Sequence, residues 1–259
     1  MNPGRLILPA LRARSDGSFA HEEETIRAGL GVGAGGFIIF GGNVDTVRTL
    51  TADLARRAGR PLLIASDLER GAGQQIEGLT ELPPPAALAS LDDLDAIRWA
   101  GALTAAEALS VGINWVFAPV ADLDVLPTNP IVQTRAFGAD PEAVAACVRA
   151  WVEGCQSPGA LACAKHYPGH GRTAIDSHVA LPVVAEDEAT LRAWDERPFA
   201  GALDADVASV MTAHVAYPAL DPSGAPATLS QPILARLRTL GFGGIIVTDA
   251  LIMEGALSG

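Results

Sequence analysis

Three of the five histidines, His166, His170 and His178, fall in one short stretch together with Lys165, Arg172 and Asp176. The apolar run Gly159 to Ala164 just before them is of the kind that forms a buried strand. Pro168, Gly169 and Gly171 rule out a helix after Tyr167, so a rigid strand is expected to deliver a polar loop. Asp176 and His178 stand two apart, and on extended backbone both side chains leave on the same side. The carboxylate can then hold the imidazole in one tautomer and raise its basicity, giving an acid/base near neutral pH. The same spacing also suits a hydrogen-bonded structural pair.

A second candidate is Asp249, which follows the apolar Ile245-Ile-Val-Thr248. A carboxylate at a strand end can attack an anomeric carbon and form a glycosyl–enzyme intermediate. It can equally cap the helix behind it. Asp67, Arg135 and the adjacent Lys165 and His166 lie on three segments and offer the short, directional hydrogen bonds that sugar hydroxyls need. Alternatively, they form ion pairs that tie loops together. His214, at the end of an apolar run, and Met253, in the stretch behind Asp249, complete the candidate set. His166, His170, Asp176 and His178 are metal-ligand types, but their spacing matches no zinc signature and the loop is rich in glycine. Neither a metal nor a cofactor is expected.

These residues need a scaffold, and the chain alternates apolar runs with helical patterns. Strands are expected at Leu6–Leu8, Gly35–Phe40, Pro61–Ala65, Asn114–Ala118, 160–164, Ala208–Ala213 and Gly244–Thr248. Helices are expected near 21–31, 44–57, 92–111, 141–154, 191–203 and 232–240, with 81–86 as loop. Strands apolar throughout and separated by helices predict a parallel sheet covered on both faces. Asp67, Asp122, Lys165, His166, His214 and Asp249 all fall at or just past strand ends. A (β/α)8 barrel gathers such residues into one mouth, whereas a doubly wound sheet would use a glycine-rich phosphate loop that is not present. Only seven strands can be counted, so the expectation is one barrel domain over residues 1–259 that lacks its last β/α unit.

The 259 residues are 49% hydrophobic and 19% charged, enough for one large core. A net charge of −12 argues against nucleic acid or an anionic membrane as partner. No run approaches the ~18 apolar residues of a membrane span, and the N-terminus has no signal-peptide pattern, so the expected location is cytoplasmic. Of the three cysteines, Cys163 reads as a small core residue. The sequence does not set an oligomeric state.

The string Lys165-His-Tyr-Pro-Gly-His-Gly171, followed by Asp176-Ser-His178 and Leu181-Pro182, resembles the hallmark of glycoside hydrolase family 3, and within it the bacterial β-N-acetylglucosaminidase (β-hexosaminidase) branch. The resemblance runs from Gly36 through Ala118-Pro-Val-Ala-Asp122 and Arg135-Ala-Phe-Gly138 to Thr248-Asp-Ala-Leu-Ile-Met-Glu-Gly255. It implies a retaining exo-glycosidase acting on terminal β-linked N-acetylglucosamine, with peptidoglycan fragments as the substrate class. Asp249 then matches the nucleophile, His178 with Asp176 the acid/base, and Asp67, Arg135, Lys165 and His166 the residues that bind the sugar. The sequence departs from the branch after Asp67, where Leu68-Glu-Arg-Gly-Ala-Gly-Gln-Gln75 stands in place of Gln-Glu-Gly-Gly-Arg-Val, and at Ala250, where a second Asp is common. A β-glucosidase or β-xylosidase of the same family, a glycoside phosphorylase, and a non-catalytic sugar-binding protein remain as alternatives.

Overall fold

The computed structural model describes residues 2–177 and 180–257. In chain order its elements are β1 (Ala10–Arg12), α1 (Glu23–Val32), β2 (Gly36–Phe40), α2 (Val44–Ala58), β3 (Leu63–Ser66), α3 (Pro85–Ala89), α4 (Leu94–Ser110), β4 (Trp115–Val116), α5 (Pro141–Gln156), β5 (Leu161–Tyr167), α6 (Glu188–Ala193), α7 (Arg197–Asp204), β6 (Ser209–Thr212), α8 (Gln231–Thr239), β7 (Ile245–Thr248) and α9 (Glu254–Leu257). The strands are parallel and ordered as in the chain, so the protein is α/β with a seven-stranded parallel sheet. The chain divides into two compact units. One comprises Met1–Leu82, Ala100–Phe117 and Gly154–Leu161, the other Pro83–Trp99, Ala118–Glu153 and Ala162–Gly259.

In the first unit, α2 shows why the local sequence folds as it does. The Asn43 side chain accepts the amides of Asp45 and Thr46 while the Thr46 hydroxyl accepts that of Asn43, which closes the helix start reciprocally. Gly59 ends the helix in the left-handed region at φ 60°. Between them Val47, Leu50, Thr51 and Leu54 form the buried stripe. Gly36 opens β2 because the Leu63 carbonyl passes so close that a Cβ there would lie 1.7 Å from its oxygen.

The first strand is not where the apolar run Leu6–Leu8 placed it. Residues Pro3–Leu6 form a 3-10 turn capped by the Asn2 side chain, and Leu6 and Ile7 are exposed. The strand is Ala10–Arg12, in register with Ile38–Phe40. Leu11 alone is buried, and the Arg12 guanidinium lies 4.1 Å over the Phe40 ring. Apolar content was the wrong signal, because one buried side chain and one stacked cation suffice for so short a strand.

In the second unit, Tyr167 and Phe199 meet edge to face at 5.2 Å. Leu191, Phe199, Val210, Ile233 and Leu237 are fully buried within it. The helix expected over 191–203 is two helices. Asp187 caps α6, and Pro198, which has no N–H, sits in the first turn of α7, where none is needed. The break turns Asp195 and Glu196 inward, and both are buried. Residues 81–86, expected as loop, include Pro85 at the start of the short helix α3. The three cysteines are free and buried, Cys163 among them.

Candidate active site

β5 carries Lys165 and His166 inside the strand itself rather than on the loop after it. The strand continues to Tyr167 because the β5–β6 pairing slips between Lys165 and Tyr167, leaving His166 as the extra residue. Such a bulge re-aims a side chain. Both residues are buried.

Asp122, one of the polar residues at strand ends, received no role from the sequence. It is buried and faces the His166 Nδ1 at 2.7 Å with one oxygen. Its other oxygen accepts the backbone N–H of His166 at 3.2 Å and of His170 at 2.6 Å. On the far side of the ring, His166 Nε2 lies 3.9 Å from Asp249 Oδ2. A carboxylate–imidazole–carboxylate chain therefore runs from the interior to Asp249, whose side chain is 27% exposed. Burial alone would raise Asp249. The His166 ring, the Ala250 amide, Lys165 and His214 overcome it and hold the carboxyl below its ordinary range. An ionised, partly exposed carboxylate just past β7 is a competent nucleophile.

His214 is buried and supports the same turn: its Nε2–H donates to the Ala250 carbonyl at 3.1 Å and its Nδ1 lies 2.9 Å from the Thr228 hydroxyl. Met253 is buried in the turn behind Asp249. Arg135 ends a 3-10 turn and donates to the Ile131 carbonyl at 3.3 Å. Asp67 stands directly past β3 in the first unit.

The loop after β5 is pinned between His170 and Ser177. The Asn129 amide donates to the carbonyls of His170 and Gly171 and to the Thr173 hydroxyl. Gly171 packs so closely that a Cβ there would lie 2.0 Å from the Leu123 carbonyl oxygen. The His170 ring bridges the hydroxyls of Thr173 at 2.8 Å and Ser177 at 3.0 Å, and Ser177 accepts the Gly255 N–H at its carbonyl. The residue after Asp176 is thereby tied to the helix behind Asp249. Asp176 itself is half-buried, and His178 lies outside the described residues. The sequence showed the density of this loop but not Asn129, which lies more than forty positions away. Among the described residues no three His, Cys, Asp or Glu side chains come together as metal ligands, and no helix is long and apolar enough to cross a membrane.

Two buried groups around this loop titrate in opposite senses. Burial pushes the His170 ring down to about 4, while burial pushes Asp195 up to about 6 against Arg172, whose Nε–H is shared between its two carboxylate oxygens. The His170 contribution is lost as pH falls from 6.5 toward 4, because the unfolded chain binds that proton more readily. Asp195 acts the other way, and its contribution falls as pH rises from 3.8 toward 6. Each amounts to about 3 kcal/mol across its window, so the two nearly cancel. Asp122 and Asp249, with depressed folded values, act below this window. Stability is therefore expected to rise with pH between 4 and 6.5 in Asp195→Asn and to fall in His170→Gln. Denaturant titrations at several pH values check this, and slopes equal to the wild type in both variants would refute the assignment.

A parallel α/β sheet that presents an ionised carboxylate, a bulged histidine and a lysine at its strand ends defines a class of protein built to handle a small polar molecule there. The glycosyl hydrolase family 3 N-terminal domain matches residues 15–258, and the chain belongs to that family. It is 40% identical over 234 residues to a β-hexosaminidase of Chromobacterium violaceum, covering 86% of this chain and 65% of the relative. It is similar in structure to a glycoside hydrolase family 3 β-N-acetylglucosaminidase from Paenibacillus, with a TM-score of 0.91 and 34% identity. That match covers 98% of this chain and 49% of the other. It is also similar to NagZ from Neisseria gonorrhoeae, solved in complex with N-trifluoroacetyl-D-glucosamine, with a TM-score of 0.81, 33% identity, and coverage of 94% and 74%. The chain thus spans about two thirds of the C. violaceum relative and half of the Paenibacillus one.

Proposed function

We propose that this protein is a retaining exo-β-N-acetylhexosaminidase. The observation that carries the reading is Asp249, a partly exposed carboxylate held ionised just past β7, 3.9 Å from a histidine that is itself held by a buried aspartate. In the first step an Asp249 oxygen attacks the anomeric carbon while His178, protonated, gives its proton to the leaving oxygen. In the second, neutral His178 takes a proton from water, which attacks the same carbon and releases Asp249. Asp176 orients His178 in this scheme. Lys165, His166, Arg135 and Asp67 bind the hydroxyls of the terminal sugar, and His214 and Met253 support the turn that carries Asp249.

The names of the relatives support the N-acetylglucosamine preference. The family resemblance supports peptidoglycan fragments as the natural substrate and the cytoplasm as the location. The scaffold is read as a single (β/α)8-type barrel domain, which seven parallel strands in chain order support. The experiment compares hydrolysis of an aryl β-N-acetylglucosaminide with the matching aryl β-glucoside by the chain. A preference of ~10²-fold or more for the N-acetyl sugar is expected, since a site built for the acetamido group leaves polar groups unpaired without it. Equal rates, or a preference for the glucoside, would move the protein to another activity within its family.

A further inference from the structure

Asp122 is 1% exposed and lies behind His166, so it has no access to a bound sugar. Its two oxygens have different tasks. Oδ1 accepts two backbone N–H groups, from His166 and His170, and Oδ2 faces His166 Nδ1. Burial alone would raise this carboxyl. The His166 ring leads the groups that overcome burial and keep Asp122 ionised. An ionised carboxylate can only accept, so Nδ1 carries the proton. Nε2 is then the ring nitrogen presented beside Asp249.

We propose that Asp122 is a positioning residue that fixes the tautomer and aim of His166, so that Nε2 meets the sugar next to the nucleophile. The kinetic part rests on the function proposed above; the tautomer does not. The division of tasks makes Asp122→Asn a specific probe. Only the carbonyl oxygen of the new side chain can accept the two backbone N–H groups, so its NH2 must take the place of Oδ2. There it donates to Nδ1, and the ring proton moves to Nε2. A purely structural Asp122 would leave turnover unchanged in this variant, because the two backbone hydrogen bonds survive.

The test is the ring 15N spectrum of the chain labelled at histidine, with the His166 signals identified by their loss in His166→Gln. Nδ1 is expected to be protonated in the wild type and unprotonated in Asp122→Asn. The kcat/KM for the aryl β-N-acetylglucosaminide should fall by about 10²- to 10⁴-fold in Asp122→Asn, more through kcat than KM, as when the orienting partner of a working histidine is lost. An unprotonated Nδ1 in the wild type overturns the proposal. So does a switched tautomer that leaves kcat/KM within about threefold of wild type. Should Asp122→Asn not fold, the wild-type spectrum decides the tautomer on its own. Should the wild type cleave neither aryl sugar, the functional reading fails while the spectra still decide the positioning role.

Discussion

Asp249→Ala is expected to reduce kcat by about 10⁴- to 10⁶-fold, the scale on which removing one member of a working catalytic set acts. Asp122, across the His166 ring from Asp249, cannot take over the covalent step. Asp122 is buried behind His166 and already engaged in three hydrogen bonds. Sugar binding should survive, because Lys165 and His166 are held by β5 and do not depend on Asp249 for their placement. Rate measurements on the aryl glycoside, paired with calorimetric binding of the free sugar, separate the two effects. Turnover within tenfold of wild type would remove Asp249 from the mechanism. Loss of binding together with turnover would make it a structural cap of the turn at Ala250, whose amide it accepts at 2.7 Å.

Glu196→Ala is expected to cost about 3 kcal/mol of stability or more, since it leaves a buried pair broken on one side. Glu196 is 5% exposed. It accepts the Tyr167 hydroxyl at 2.6 Å and two N–H groups of Arg236 at 2.7 and 2.8 Å. Without it the Tyr167 hydroxyl loses this acceptor and the guanidinium is left with Glu188, at the surface. Tyr167 follows His166 directly and closes β5, so the loss also loosens the strand end that carries the site. Glu196→Gln keeps an acceptor and the side-chain volume and should cost less. Thermal unfolding of the three proteins checks the order. A Glu196→Ala variant within 1 kcal/mol of wild type would show that the cluster contributes no net stability, as happens when desolvation of a buried ion pair cancels its attraction.

Much of this architecture was legible in the chain. Apolar runs bounded by glycine and proline located six of the seven strands to within a few residues, since strands buried on both faces are apolar throughout. The helix expected near 44–57 is α2, Val44–Ala58, whose end signals at Asn43 and Gly59 are local. The first strand was misplaced because its neighbour β2 selects it by register, burying Leu11 between two outward residues. Periodicity over 191–203 predicts one continuous helix because it does not reveal that Asp195 and Glu196 turn inward to Arg172, Tyr167 and Arg236.

The same contrast holds at the site. Residue types and their places at strand ends determined which side chains could act: Asp249, Lys165, His166 and the dense loop through Asp176. What only the tertiary structure decided is how they are held. The bulge that turns His166, the buried Asp122 that accepts its Nδ1–H, the Asn129 amide that clasps the loop and the His170 ring that reaches Ser177 join positions far apart in the chain. Local sequence carries propensity and pattern. Burial and hydrogen-bond partners are set across strands, and these fix which nitrogen bears a proton and which carboxylate stays charged.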